Sequence, residues 1–247
     1  MGTNTKILQK GGYMTNFQIK LVGIITMLID HIGYLVHFNI VDDAVLWYNP
    51  WAIYLRMIGR IAFPIFVFLA AEGADKTKDR VKYIKRLWVF ALISQVPFAL
   101  FLQYPLFYRI NVFATLALGV TLIHLYEKIN FRKISKLAIA LVVVFGIMIF
   151  SDVFRLDYGG IGVIFVLAIY LTKKLYPNNV YAVAFTVLVA MFITYNYSDF
   201  LIASLISLIP IMLYNNEIGH KKYAKWLFYG FYPVHMLVLT FVRMLII

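Results

Sequence analysis

Residues Phe17–Phe38 read FQIKLVGIITMLIDHIGYLVHF. A helix that crosses a bilayer needs about 20 mostly apolar residues, and this stretch has that length and character. Eight more such stretches follow, near Trp51–Ala74, Tyr83–Leu102, Arg109–Tyr126, Ile134–Phe150, Gly159–Leu175, Val180–Tyr195, Phe200–Tyr214 and Lys225–Ile246. The whole chain of 247 residues is 63% hydrophobic and 14% charged. Soluble domains carry about 25% charged residues, so a water-soluble fold would lack a polar surface. The expected fold is therefore an all-α integral membrane protein, a single polytopic bundle of about nine transmembrane helices over residues 17–247. The seventh and eighth stretches are short, which leaves them open to tilted or half-spanning placement. Residues 1–16 read as a flexible cytoplasmic leader, with Met14 an alternative start and nothing resembling a cleaved signal peptide. There is no myristoylation pattern, because Lys6 stands where Ser or Thr is needed.

The net charge is +12, from 23 Lys and Arg against 11 Asp and Glu. With nine spans and the N-terminus inside, 18 of the 23 cations fall on cytoplasmic segments, including every lysine. That is the positive-inside bias of a membrane protein with an N-in, C-out orientation. It accounts for the basic charge without nucleic acid, and adds attraction to anionic membrane lipids. The remaining five cations are all arginines: Arg56, Arg60, Arg109, Arg155 and Arg243. The absence of cysteine excludes disulfides, thiolate nucleophiles and Cys-ligated metals. No metal-ligand pattern, Walker loop or dinucleotide fingerprint appears.

A charge near the bilayer centre costs about 2.5–3.5 kcal/mol on insertion scales, so buried ionisable groups mark function by default. Asp30 and His31 are adjacent in the first span, in its outer half. An ionised Asp30 beside His31 would orient the ring. The alternative is a structural pair that ties helices together. Arg56 and Arg60 are four residues apart and share one face of the second span. Pro64 should kink that helix and free the carbonyl of Arg60. In the last span His235 lies about 15 Å above Lys225, near the midplane, with Tyr232 one turn before it. A plain alternative for His235 is a bond to a backbone carbonyl freed by Pro233. Glu72 reads as a salt bridge to the basic loop Asp75–Arg86, Arg155 as an ion pair with Asp152 or Asp157, and Arg243 as a snorkelling anchor. Asn196–Ser198 forms a sequon, set too tightly against the membrane to be used.

The stretches KLVGIITMLIDHIG (Lys20–Gly33), RMIGRIAFPIFVFLAAEG (Arg56–Gly73), KRLWVFALISQVPF (Lys85–Phe98), INVFATLALG (Ile110–Gly119) and FYPVHM (Phe231–Met236) resemble the TraX family. That family is named for a conjugation protein linked to N-terminal acetylation of pilin. It is similar to a wider group of transmembrane acyltransferases, whose first helix carries a basic residue, ten residues and then a catalytic histidine. Lys20 and His31 have that spacing here, with Lys in place of Arg. Residues 17–247 thus resemble a transmembrane acyltransferase-like helical domain. The resemblance implies His31 as general base and acetyl-CoA as a co-substrate entering from the cytoplasm.

The expected function is transfer of an acyl group, acetyl foremost, from acyl-CoA to an amine or hydroxyl. The acceptor would be a peptide such as a pilin N-terminus, or a cell-envelope glycan, at the bacterial cytoplasmic membrane. His31, Asp30, Arg60 and His235 are the expected catalytic residues, and Arg56, Arg60, Lys20 and Tyr232 the expected co-substrate contacts. A proton-coupled secondary transporter that uses Asp30 and His31 as a relay is the alternative, although no internal repeat is evident. A third possibility is a non-catalytic membrane scaffold.

Overall fold

A computed structural model describes residues 12–39, 50–128, 133–195, 198–219 and 224–246. The expected leader up to residue 11, the lysines at 221 and 222, and the first two residues of the sequon lie outside the described residues. Within them the chain is helical throughout: α1 (Asn16–Asn39), α2 (Pro50–Gly59), α3 (Ala62–Lys76), α4 (Arg80–Leu102), α5 (Val112–Lys128), α6 (Lys133–Val153), α7 (Gly159–Leu175), α8 (Val180–Tyr195), α9 (Asp199–Leu205), α10 (Leu208–Met212) and α11 (Ala224–Ile246). Four helical stretches are long and apolar enough to cross a membrane: Asn16–Val36, Pro50–Lys76, Arg80–Leu102 and Trp226–Ile246. Val180–Tyr195 and Asp199–Met212 are shorter apolar helices, as their short sequence stretches anticipate.

The nine apolar stretches become eleven helices because two of them break. Both breaks lie four residues before a proline, which cannot donate a hydrogen bond to the carbonyl four residues back. In the second stretch the ladder stops at Arg60, with tightened bonds from Arg60 N to Met57 O (3.0 Å) and Ile61 N to Ile58 O (3.2 Å). Pro64 then sits in the first turn of α3, where its missing N–H costs nothing. The expected kink is thus a complete break. In the eighth stretch the pattern repeats at Ile206, four residues before Pro210, with Ile206 N bonded to Ala203 O and Ser207 N to Ser204 O. Pro97 and Pro233 instead sit inside continuous helices.

The helices pack in two groups. The larger core joins α3, α5 and α7 through Ile65, Val67, Val120, Phe165 and Ile169, all at most 2% exposed. The smaller joins α1, α4 and α11 through Met27, Phe98, Phe101 and Met236. Phe66 and Phe113 pack against both. Helix directions alternate, so the lysine-bearing ends converge. There Met14 N bonds to Leu213 O (2.9 Å), Asn16 N to Glu217 O (2.8 Å), and Lys76 Nζ to Tyr214 Oη (3.0 Å) and Asn216 O (2.9 Å). Glu127 at the end of α5 pairs with Lys174 and receives the Tyr170 hydroxyl. Asp79 caps α4 by accepting from Lys82 N (2.9 Å), a bond that holds its carboxyl below the usual range.

At the opposite end the loop before α5 pairs with the loop before α7: Ile110 N donates to Arg155 O and Asp157 N to Ile110 O (2.9 Å). The loop is held from beneath by Gln95 and the fully buried Asn111. Gln95 Nε2 donates to Leu106 O and Arg109 O, and Asn111 Nδ2 to Ala91 O and Gln95 Oε1. Arg243, only 6% exposed, donates to Phe101 O (2.8 Å) and Leu100 O (3.0 Å). The expected snorkelling anchor is therefore a cap on C-terminal carbonyls of α4, at the negative end of the helix dipole.

At Gly59, α2 approaches α1 so closely that a Cβ would lie 2.1 Å from Asp30 Cβ. Gly59→Ala should cost about 1–3 kcal/mol or more through forced displacement of the helices. Gly146→Ala, where nothing lies within 4 Å, should leave stability unchanged or raise it by up to about 1 kcal/mol. Thermal unfolding of the two purified variants in the same detergent checks this; equal midpoints would contradict the close α1–α2 contact.

Candidate functional site

Helices α1 and α11 bring together two histidines 204 residues apart in sequence. His31 Nδ1 and His235 Nε2 are 2.6 Å apart, and His235 Nδ1 is 2.7 Å from Phe231 O. A carbonyl only accepts, so His235 Nδ1 carries the proton. His235 Nε2 is then the acceptor, and His31 Nδ1 must be the donor. Among the described residues His31 Nε2 has no partner, so it keeps its lone pair. The plain alternative for His235 is present, a bond to a backbone carbonyl, and the same ring also meets His31. The carbonyl is that of Phe231, whereas Pro233 would free that of Tyr229. Edge-on contacts with Phe101 (centroids 5.3 Å) and Tyr232 (6.4 Å) hold the His31 ring.

Asp30 does not orient His31. Its Oδ1 accepts from Arg60 Nη2 (2.5 Å) and its Oδ2 from Arg56 Nη1 (3.1 Å). Successive residues on a helix project about 100° apart, so adjacent Asp30 and His31 face different neighbours. Arg60 also donates from Nε to Arg56 O (3.2 Å), which satisfies a terminal carbonyl of α2. Arg56 lies over the Tyr34 ring (5.4 Å) and Arg60 over Phe200 (5.5 Å).

These groups line a cavity of about 130 Å³, with Asp30, His31, Arg56 and Arg60 on one side and Arg109, Asp157 and Tyr158 on another. Tyr232 lines it too; His235 stands behind His31. Three guanidiniums, Arg56, Arg60 and Arg109, face two carboxylates, Asp30 and Asp157, so the lining carries one net positive charge. Arg109 pairs with Asp157 at 3.1 Å. Burial pushes the Asp157 carboxyl above its usual range even so. The ion pair expected for Arg155 does not form: Asp157 is taken by Arg109, and Arg155 stacks 4.2 Å from the Tyr108 ring. Arg109, Asp157 and Tyr158 line the cavity, although sequence reasoning placed Arg109 at the start of the fourth span and the other two in the outer loop before Gly159. The only sequence sign was the DYGG turn, where Tyr158 takes a left-handed φ of 62° and stacks on Phe63.

Lys20 does not reach this cavity. It lies about 16 Å further down α1, beneath His31, and lines a second cavity of about 320 Å³ at the lysine-rich end. Phe66 belongs to both linings. Glu72, 1% exposed, sits on that second wall and pairs with Lys76 (2.6 Å), with Lys173 of α7 and with the Tyr214 hydroxyl (2.9 Å). The expected bridge to the basic loop is present through Lys76. Lys173 adds a link to a distant helix.

The fold and site define a helical protein, with helices long and apolar enough to cross a membrane, around a buried His–His and Asp–Arg–Arg centre. The chain belongs to the TraX family, matching the TraX protein family over residues 16–243. It is 25% identical over 250 residues to a probable fimbrial assembly protein, FimC of serogroup H1, from Dichelobacter nodosus, covering 92% of this chain and 95% of that one. No solved structure matches the chain.

Removing Asp30 leaves two guanidiniums without their carboxylate. Breaking a buried pair costs about 3–5 kcal/mol, and a solvent-exposed one far less. Arg60 is the more buried partner, with a side chain 13% exposed against 30% for Arg56. Asp30→Asn should therefore destabilise more than Arg56→Gln. The double variant Asp30→Asn/Arg60→Gln should lose less than the sum of its singles. Additive losses in denaturant unfolding would show that the pairs are not coupled.

Proposed function

We propose that the chain is an integral membrane acyltransferase that moves an acetyl group from acetyl-CoA to an acceptor amine or hydroxyl. The observation that carries this reading is the chain Phe231 O, His235, His31, which leaves His31 Nε2 as a free base on the wall of a small charged cavity. In the step, the acceptor N–H or O–H attacks the thioester carbonyl and gives its proton to His31 Nε2. The tetrahedral oxyanion forms beside Arg56 and Arg60, whose two charges exceed the one charge of Asp30. Collapse breaks the C–S bond, and the proton returns from His31 to the leaving thiolate. His235 has both ring nitrogens engaged, so its role is to fix the tautomer of His31 and stabilise the imidazolium. That is the role expected of Asp30 from sequence.

In this reading the lysine-rich end faces the cytoplasm of a bacterial cell, N-in and C-out over nine spans, and the His31 cavity opens toward the other side. Acetyl-CoA enters at the lysine end and the acceptor from the opposite one. The fimbrial assembly relative favours a peptide acceptor such as a pilin N-terminus over a glycan. A proton-coupled transporter is less well supported, because Asp30 is bound on both oxygens by guanidiniums and is not free to cycle.

The test uses the purified chain in liposomes with acetyl-labelled acetyl-CoA and a pilin-type N-terminal peptide, and label on lipid or peptide is counted. His31→Ala should lose about 10²–10⁴-fold of transfer, the worth of a positioned base. His235→Ala, with its thermal midpoint checked, should lose less and shift the pH profile. Wild-type transfer by folded His31→Ala protein would overturn the assignment.

A further inference from the structure

The second cavity is the larger of the two described above, and the acyl-transfer chemistry does not use its most unusual side chain. Arg86, on the first turns of α4, lines it with its guanidinium 5.6 Å from the Tyr83 ring and 5.9 Å from the Tyr229 ring. Its Nε is buried and has no hydrogen-bond partner among the described residues. A buried donor without an acceptor costs about 1–3 kcal/mol, so such an atom calls for a ligand or a reason. Lys20 stands on the same wall. Its ammonium lies 5.4 Å from the Phe228 ring, and no carboxylate faces it among the described residues. Among the described residues the one acid on this lining is Glu72, and Lys76 and Lys173 both hold it.

The cavity therefore has cations in excess, two of them without counter-ions. Apart from Asn16 and Thr77, the rest of its wall is mostly apolar and aromatic, with Phe66, Leu69, Leu87 and Phe113 among it. Simple snorkelling toward water would leave both cationic heads exposed and the Nε hydrated. Here the guanidinium lies beside two rings with its Nε buried, and a planar guanidinium suits bidentate phosphate binding. The cavity runs up along α1 and α11 toward Phe66, the residue it shares with the His31 cavity. A ligand must match both parts, an anionic head at Arg86 and Lys20 and a slender neutral arm along the apolar wall.

We propose that the lysine-end cavity is a binding site for a phosphate ester with a long uncharged arm, anchored at the phosphate by Arg86 and Lys20. Two sources share that chemistry: the diphosphate and pantetheine of a coenzyme A ester, and a glycerophospholipid. The inference rests on the acyl-transfer reading only in the choice of the first.

The experiment measures dissociation constants for the full chain in detergent with coenzyme A, pantetheine and dihexanoyl phosphatidylglycerol. Coenzyme A should bind, pantetheine, which lacks the phosphates, should bind at least tenfold more weakly, and Arg86→Met should weaken coenzyme A at least tenfold. Lys20→Met should weaken it in the same direction, and it carries the test if Arg86→Met does not fold. Lys82→Ala, which removes an exposed charge at the same end outside the cavity, should change nothing. If only phosphatidylglycerol shows the dependence on Arg86, the site stands with lipid as its source. Binding of both phosphate probes that ignores Arg86 and Lys20, no binding of either, or pantetheine binding as tight as coenzyme A, overturns the proposal. His31→Ala should bind coenzyme A like the wild type, so loss of transfer and loss of this site are read separately.

Discussion

One carboxylate holds two guanidiniums inside the bundle, and much of the architecture follows from that constraint. Asp30 cannot sit unpaired when it is this buried, and neither can Arg60. Their pairing draws the C-terminal end of α2 onto α1, and only a residue without a Cβ, Gly59, lets the backbones come so close. The same contact sets where the second apolar stretch breaks. Arg60 stands at the break, bonds Asp30 with one nitrogen and caps the last turn of α2 with another. The break then redirects the chain into α3, whose lower end carries Glu72 and Lys76. One ion triad thus fixes the cavity wall at its upper end and, through α3, the second charged cluster at the other.

The two cavities lie in series along α1, α3, α4 and α11. His31 and Lys20 are separated by eleven residues of α1, and Tyr232 and Tyr229 by about one turn of α11. Phe66 is the shared wall, and the site chemistry divides across it. Above is a small polar chamber with a free base and one excess positive charge. Below is a larger, mostly apolar chamber with two cations, Arg86 and Lys20, that have no carboxylate partner among the described residues.

Much of this was legible in residue order. Helix positions follow from length and apolarity alone, and Gly159–Leu175 and Val180–Tyr195 match helix ends to the residue. The breaks follow from Pro64 and Pro210, although the same reading applied to Pro97 and Pro233 would have erred. A proline removes one hydrogen bond in every case, and whether the helix breaks depends on what packs beside it. His31, Asp30, Arg56, Arg60 and His235 were identifiable because charge is rare and costly in lipid. Their pairings were not. Adjacency made Asp30 the natural partner of His31, and proximity in the loop made Asp157 the natural partner of Arg155.

Sequence by itself determined that the chain is a helical bundle of membrane character, which end gathers its lysines, and which few polar residues lie in its apolar stretches. These are local properties, set by composition and by the rise of a helix. Tertiary structure alone decided that His235 meets His31, that Arg109 takes Asp157, that Arg243 caps α4, and that Arg86 and Lys20 share a cavity. Each of those depends on which helix faces which and how far each is turned about its axis. Side-chain packing over the whole bundle sets that rotation, and no single stretch of sequence contains it.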